Sequence, residues 1–179
     1  RYDSESDTFS PIRSTFGDFV HGLYQDSKGV IWVGTYGNGI RLISEDGTEL
    51  GHYSISEAEG SLTSRFITSF HEDSRHRMWI TTEGGGVYVT EPDYKVEALK
   101  FSKLTTDDGL PSNVACATAE DQDGMIWIST TKGIVSLSGD SLSVTEMMNG
   151  STELTGYQFS YSATCTARNG AIYFGNTDG

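Results

Sequence analysis

The sequence predicts an all-β fold assembled from one repeated unit, and three observations carry the prediction. The three tryptophans of the chain, Trp32, Trp79 and Trp127, stand 47 and 48 residues apart. Each lies in a short apolar run that follows an aspartate-led turn and precedes a glycine-containing segment. No stretch shows the sustained apolar period of about 3.6 residues that an amphipathic helix requires. A self-similar period in the forties built from strand-type segments is typical of propellers and kelch-like arrays.

The repeated unit has the composition of a β-hairpin. Its copies are DSKGVIWVGTYGNGI, DSRHRMWITTEGGGV and DQDGMIWISTTKGI, which begin at Asp26, Asp73 and Asp121. A fourth copy, ARNGAIYFGNTDG, has Tyr173 in the place of the tryptophan. Glycine adopts a positive φ at little cost, and β-branched and aromatic residues favour strands. Short strands separated by turn residues at regular intervals therefore indicate an all-β domain.

The length of each unit accommodates four antiparallel strands, here lettered A to D in chain order, and such a unit is one propeller blade. We therefore predict a β-propeller fragment of about four blades of four antiparallel strands. The predicted spans are 1–18 for the C–D half of a preceding blade, 19–58, 59–105 and 106–150 for three blades, and 151–179 for the A–B half of a final blade.

The repeated aromatic residues are predicted to be structural. Trp32, Trp79, Trp127 and Tyr173 are expected to fill the gap between neighbouring sheets, since a ligand platform need not repeat. The aspartate that opens each turn is expected to hydrogen-bond its own backbone. The DQDG turn superficially resembles a calcium loop, but it lacks the further oxygen ligands and the distal glutamate of an EF-hand. We therefore expect no metal site and no cofactor.

The charge balance excludes two classes of partner. The chain has 25 acidic and 12 basic residues, and its net charge is −13. Such a chain repels nucleic acid and anionic lipid, so neither is an expected partner. No apolar run approaches the roughly 20 residues that a membrane-spanning helix needs. We therefore expect no membrane contact by this segment.

Recognition residues are expected on one face of the array. In an up-and-down blade the B–C and D–A loops share a face, and these loops vary while the aspartate turns on the opposite face repeat. Sugar binding needs aromatic rings beside planar or charged hydrogen-bonding groups. The candidates on this face are Tyr36, Asn38, Arg65, Phe66, Glu83, Lys132, Tyr157 and Gln158. Arg65 and Lys132 have the greatest weight, because they are cations in a strongly acidic chain. If the natural ligand is an anionic glycan, these two residues are expected to pair with it.

No catalytic residue is predicted. The four histidines, His21, His52, His71 and His76, lack a recurring partner, and each is interpreted as a surface or strand residue. The carboxylate pairs Glu72–Asp73 and Asp107–Asp108 are adjacent in sequence, and neighbouring strand residues point to opposite faces.

The quoted units resemble the two-component regulator propeller repeat. DSKGVIWVGT and DQDGMIWISTTKGI fit its pattern, and DSRHRMWITTEGGGV fits with His76 in place of the turn glycine. The segment DDGLPSNVACATAEDQDG adds the Gly-Leu-Pro-Ser-Asn lead into strand A. The segment GYQFSYSATCTARNGAIYFGNTDG resembles the blade found near the end of such propellers.

The resemblance implies a biological role. It implies the closing part of a seven-bladed propeller in the periplasmic sensor of a bacterial hybrid two-component histidine kinase, whose parent protein lies in the inner membrane. It further implies an oligosaccharide ligand, relay to a transmembrane kinase, association as a homodimer or with other blades of the same sensor, and no enzymatic activity in this segment. Two alternatives stay open: purely structural or dimerisation blades with the ligand bound elsewhere, and a propeller lyase or hydrolase, since streptogramin-lyase-like blades share a D-x-x-G-x-x-W pattern.

Overall fold

The computed structural model describes residues 1–12, 15, 17–139, 142–149 and 158–177. Within these ranges the chain forms sixteen β-strands and one short 3-10 turn at Thr106–Asp108. The strands are β1 (Tyr2–Asp3), β2 (Thr8–Phe9), β3 (Val20–Gln25), β4 (Ile31–Thr35), β5 (Ile40–Ile43), β6 (Glu49–Tyr53), β7 (Ile67–Glu72), β8 (Met78–Thr82), β9 (Val87–Thr90), β10 (Phe101–Leu104), β11 (Ala115–Glu120), β12 (Met125–Thr130), β13 (Gly133–Ser138), β14 (Val144–Asn149), β15 (Phe159–Thr166) and β16 (Ile172–Asn176).

The strands form successive antiparallel sheets whose internal order follows the chain. Strands β3–β6, β7–β10 and β11–β14 make three four-stranded sheets, here called the first, second and third sheets. Strands β1–β2 form a hairpin before them, and β15–β16 form a two-stranded last sheet after them. The predicted all-β propeller fragment is confirmed. The two hairpins remain separate sheets, so the described strands do not close into a ring.

A hydrogen bond between aspartate and indole is the repeated local element of these sheets. In the first sheet the Trp32 Nε1–H donates to Asp26 Oδ2 at 2.7 Å. The other oxygen, Oδ1, accepts from the backbone N–H groups of Lys28 and Val30 at 2.9 and 2.8 Å. One carboxylate thus closes the turn and fixes the indole. The same bond joins Asp73 to Trp79 at 2.8 Å and Asp121 to Trp127 at 2.7 Å.

The aspartate in the second sheet shows how burial and hydrogen bonding compete. Burial by itself raises the pKa of the Asp73 carboxyl, but hydrogen bonds from Trp79 and Arg77 outweigh this effect, and the pKa of Asp73 is lowered. Arg77 also forms an ion pair with Asp73, with Nη2 2.6 Å from Oδ2. The carboxylate therefore stays ionised in its buried position and keeps its capacity to accept hydrogen bonds.

The repeated aromatic residues differ in burial along the chain. Trp32 and Trp79 are fully buried. Trp32 packs against Phe70 of the second sheet, with ring centroids 5.9 Å apart. Trp127 is half-buried between the third and last sheets. Tyr173 departs from the expectation of a buried blade residue, since it is 61% exposed. Each buried indole is covered by the sheet that follows it, and the described residues contain no sheet after β16.

Close packing of the first two sheets requires a glycine in β4. A Cβ atom on Gly34 would lie 2.7 Å from Ile67 Cγ2 and 2.8 Å from the Phe70 ring. The apolar cluster at this interface contains Trp32, Leu42, Ile67 and Ile80, all with 0% exposure. Interiors packed at this density lose stability when even a methylene is added, so the small residue sets the distance between the sheets.

A serine–glutamate clamp joins the turn of one sheet to strand A of the next. Ser27 donates from its N–H to Glu72 Oε2 at 2.7 Å and from its hydroxyl to Glu72 Oε1 at 2.6 Å. Ser74 and Glu120 repeat this geometry at 2.7 and 2.6 Å. Gln122 and Thr166 occupy the equivalent positions between the third and last sheets, so the sequence there supplies neither partner of the clamp.

The second unit tolerates a histidine where the other turns have glycine. His76 adopts a φ of 61°, in the same region as Gly29 at 82°, Gly124 at 77° and Gly170 at 86°. A left-handed conformation costs a residue with a side chain about 1–2 kcal/mol. The ring of His76 lies 3.1 Å from the Ser27 hydroxyl and 3.3 Å from Glu72, measured from Nδ1, so it adds to the clamp between the first and second sheets.

Removal of the turn carboxylate in the first sheet is expected to destabilise the protein. In Asp26→Ala the buried indole N–H of Trp32 loses its acceptor, as do two backbone N–H groups and the hydroxyl of Tyr94. The expected loss is about 3 kcal/mol in the free energy of unfolding, measured by urea titration. Asp123→Ala, in the exposed part of the third turn, is the control and is expected to change stability by about 0.5 kcal/mol or less. Equal losses in the two variants would contradict the role given to Asp26.

Introduction of the missing clamp is expected to stabilise the last interface. The double variant Gln122→Ser/Thr166→Glu recreates the residue pair of the other two interfaces and is expected to show a coupling energy of about 1 kcal/mol. A double-mutant cycle measured by urea unfolding gives this coupling energy. Hydrogen exchange of the β15 amides checks that the effect lies at the last interface. Strictly additive single-variant effects would show that the geometry of the clamp does not extend to this interface.

Candidate ligand-binding site

Rings from three sheets meet on the face that carries the B–C and D–A loops. We call the group formed by Phe19, His21, Tyr36, Phe66 and Tyr161 the aromatic cluster. The Tyr36 centroid lies 4.7 Å from that of Phe66, 5.8 Å from that of His21 and 6.5 Å from that of Phe19. The rings of His21 and Tyr161 are 5.5 Å apart. Phe19 is 70% exposed and Tyr36 is 41% exposed, so the cluster presents ring surface to solvent.

Glu83 joins two tyrosines of the aromatic cluster. Its Oε2 accepts hydrogen bonds from the Tyr36 hydroxyl at 2.9 Å and from the Tyr161 hydroxyl at 3.2 Å. The carboxylate, which follows β8 of the second sheet, thus joins a tyrosine of the first sheet to a tyrosine of the last. Burial, reinforced by the charge of Glu83, raises the pKa of Tyr161 to about 12. The hydrogen bond to Glu83 also raises the pKa of Tyr36.

Backbone hydrogen bonds between sheets form the frame of the cluster. The carbonyl of Arg65 accepts from the N–H groups of Gly37 and Gly39 at 3.1 and 3.0 Å. One sheet further, the carbonyl of Asn113 accepts from Gly84 and Gly86 at 3.0 and 2.9 Å. The B–C turns of the first and second sheets are therefore each tied to the lead into strand A of the next sheet. This regular frame fixes the positions from which Tyr36 and Glu83 project.

An irregularity in β15 brings Tyr161 to the cluster. The register of β15 against β16 shifts between Phe159 and Thr164, and Ser162 within that interval has a φ of 57°. The Ser162 hydroxyl donates to the carbonyl of Thr68 in β7 at 2.7 Å, which holds β15 against the second sheet. Bulges commonly redirect a side chain near a binding site, and this one accompanies the approach of Tyr161 to Glu83.

Three of the predicted recognition residues come together, and a fourth lies at the edge. Tyr36, Phe66 and Glu83 belong to the site, and Tyr36 and Phe66 form an isolated β-bridge. The guanidinium carbon of Arg65 lies 5.6 Å from the Phe66 ring centroid, and its side chain is otherwise exposed.

The remaining predicted residues are not joined to the cluster by the described contacts. The side chain of Asn38 donates to Asp18 at 2.6 Å and is committed to a network with Arg41. Lys132 and Gln158 are exposed, and the backbone carbonyl of Gln158 accepts from Thr177. Tyr157 lies outside the described residues. The described contacts therefore do not support the expectation that Lys132 is a principal ligand-binding cation.

Sequence reasoning missed Phe19, His21 and Tyr161. His21 is an exposed residue of β3, the A strand of the first sheet, as the sequence predicts, but its contact with Tyr36 and Tyr161 was not foreseen. Tyr161 lies in β15, the A strand of the last sheet. The sequence offered one way to find these residues: the A strands line the centre of a propeller, where side chains of different blades approach one another.

The described residues contain no group of three or more histidine, cysteine, aspartate or glutamate side chains arranged to hold a metal ion. In the same part of the chain, no helix is long and apolar enough to cross a membrane.

The coupling between Glu83 and Tyr161 is testable by titration. The difference in absorbance between the wild-type chain and Tyr161→Phe isolates this phenol, which is expected to ionise near pH 12 rather than near its ordinary pKa of about 10. Glu83→Gln removes the charge and is expected to lower the pKa of Tyr161, while burial keeps it above 10. Glu91→Gln, an exposed carboxylate change, is the control. A Tyr161 titration that is unchanged in Glu83→Gln would contradict the described contact.

The fold and the candidate site together define a class: a β-propeller segment with an exposed aromatic cluster on one face. Residues 15–37, 61–84 and 109–132 match the two-component regulator propeller family. Each matched segment contains one of the aspartate–indole pairs and at least the first two residues of the B–C turn that follows it. The chain carries repeats of the two-component regulator propeller family.

Solved structures share this architecture. The extracellular domain of the hybrid two-component system BT3049 from B. thetaiotaomicron is 28% identical, with a TM-score of 0.73, over 88% of this chain and 20% of that one. Virginiamycin B lyase from Staphylococcus aureus is 17% identical, with a TM-score of 0.61, over 88% of this chain and 48% of the lyase. A streptogramin B lyase is 13% identical, with a TM-score of 0.63, over 90% and 49%. The lyases share the fold alone. No curated protein matches the chain.

Proposed function

We propose that the chain is a ligand-recognising segment of an extracytoplasmic sensor in a two-component system, with the sensor in the periplasm and its parent histidine kinase in the inner membrane. The repeat family and the similarity to the extracellular domain of a hybrid two-component system support this role. The chain spans one fifth of that domain, so the relay to a transmembrane kinase is part of the proposal.

The aromatic cluster around Glu83 is the observation that carries the binding part of the proposal. Exposed aromatic rings offer apolar surface to the C–H face of a sugar, and a neighbouring carboxylate accepts its hydroxyl hydrogen bonds. Tyr36 and Phe19 supply exposed ring surface, and Glu83 supplies the acceptor. The proposed ligand is therefore an oligosaccharide.

Signalling follows from the position of this site across several sheets. Glu83 of the second sheet contacts tyrosines of the first and last sheets, so a ligand bound at this cluster would contact three sheets at once. A ligand shifts an equilibrium only by its differential affinity for the two arrangements. In the proposed mechanism the sensor has two arrangements, and the sugar binds better to the one in which Tyr36 and Tyr161 are both within reach of Glu83.

The proposal makes the segment a binding module rather than an enzyme. A purely structural role, with the ligand bound on other blades, is the alternative that the binding experiment decides. The predicted association of two copies, or of this segment with other blades of the same sensor, stays a prediction.

Oligosaccharide binding is expected to depend on Tyr36. Calorimetric titration of the chain with neutral, amino and acidic oligosaccharides is expected to give saturable binding without turnover of the sugar. Tyr36→Ala removes an exposed ring and a donor to Glu83, and the affinity is expected to fall about tenfold. Tyr173→Ala, which removes an exposed tyrosine from β16, is the matched control and is expected to leave the affinity unchanged.

Two outcomes would decide against this function. If no oligosaccharide binds at millimolar concentration, or if both tyrosine variants bind as the wild type does, the structural role is favoured. Conversion of the sugar by the chain would instead indicate a lyase or hydrolase.

A further inference from the structure

The charge of Glu83 narrows the chemical class of the ligand. Glu83 is the group on which the hydrogen bonds of the cluster converge, and both described bonds end on one oxygen, Oε2. Arg65, a cation expected to bind an anionic glycan, lies at the edge over Phe66. Lys132 has no described contact with the cluster. The group that accepts these hydrogen bonds is therefore negative, whereas the expectation from sequence placed the greatest weight on two cations.

The rings around Glu83 add to this negative potential. The face of an aromatic ring is the negative end of its quadrupole, and ammonium groups bind over such faces within about 6 Å. Tyr36 donates its hydroxyl to Glu83, and its ring packs against those of Phe66 and Phe19, with centroids 4.7 and 6.5 Å apart, so exposed ring surface lies beside the carboxylate. The net charge of −13 concentrates cations and repels anions near the surface as a whole.

We propose that the ligand group recognised at this cluster is a protonated amine, so that the ligand class is an amino sugar with a free amino group rather than a uronic acid or a sulfated sugar. This inference rests on the proposed function, because it assigns a chemical class to a sugar bound at the same site. An ammonium group has three N–H donors and binds a carboxylate and an aromatic face together, which are the two features that the cluster combines.

N-acetylation provides a sharp contrast for this proposal. It removes the positive charge of the amine and its cation–π contact, while the sugar ring, its linkage and its C–H faces are retained. A free amino sugar and its N-acetylated form therefore differ in the positive charge of the amine, which is the property on which the proposal depends. A disaccharide with hydroxyl groups at the same positions supplies a neutral reference.

The test compares three ligands that share one ring linkage. The β-1,4-linked glucosamine disaccharide, its N-acetylated counterpart and cellobiose are titrated into the chain by calorimetry at neutral pH. The glucosamine disaccharide is expected to bind at least about tenfold more tightly than the other two, and this preference is expected to fall as salt is added. Glu83→Gln is expected to remove the preference, because it weakens binding of the glucosamine disaccharide much more than binding of cellobiose. Glu91→Gln is the charge-matched control and is expected to keep the preference.

The outcomes separate this inference from the proposed function. Equal or tighter binding of the acetylated or neutral sugar, or of an acidic disaccharide, would overturn the inference and leave oligosaccharide sensing in place. Absence of binding by every sugar at millimolar concentration would overturn both. The comparison among the sugars uses the wild-type chain alone. It therefore tests whether the ligand group is a protonated amine even if Glu83→Gln fails to fold.

Discussion

The hydrogen bond between a turn aspartate and an indole is the interaction on which the rest of the structure depends. One carboxylate closes the turn through Lys28 and Val30 and also orients Trp32, which covers the surface of the next sheet. The same carboxylate therefore determines both the shape of the turn and the packing between sheets. This interaction recurs in three sheets and so sets the spacing of the array. In the fourth unit Ala167 replaces the aspartate and Tyr173 the tryptophan, and there the ring is exposed.

The fold was predictable because its determinants are local and repeated. Tryptophan spacing, turn aspartates and glycines identify the sheets without knowledge of long-range contacts. The candidate site was predictable in part for the same reason, since Tyr36, Phe66 and Glu83 lie in or beside the loops that connect the strands. These positions follow from the regular frame, in which the B–C turns of the first and second sheets are bonded to the lead into the next A strand.

The rest of the site depends on contacts that no local pattern encodes. Tyr161 reaches Glu83 with a register shift in β15 and with the unusual backbone of Ser162. Asn38 has a suitable side chain for recognition, but it is engaged by Asp18, 20 residues earlier in the chain. The cationic residues were given weight by composition, which reports the charge of the chain and not the position of each charge. Placement, rather than residue type, therefore decided which candidates formed the site.

Among the described residues, the serine–glutamate clamp is present at two interfaces between sheets and absent from the third. Two seams are fastened by a bidentate carboxylate, and the seam before β15 has neither Ser nor Glu at the matching positions. The seam without the clamp is also the one that carries Tyr161, whose hydroxyl reaches Glu83 of the second sheet. The last sheet is therefore bonded to the second sheet through Tyr161 and through the Ser162 hydroxyl, which donates to the carbonyl of Thr68, rather than through a turn carboxylate of the preceding sheet.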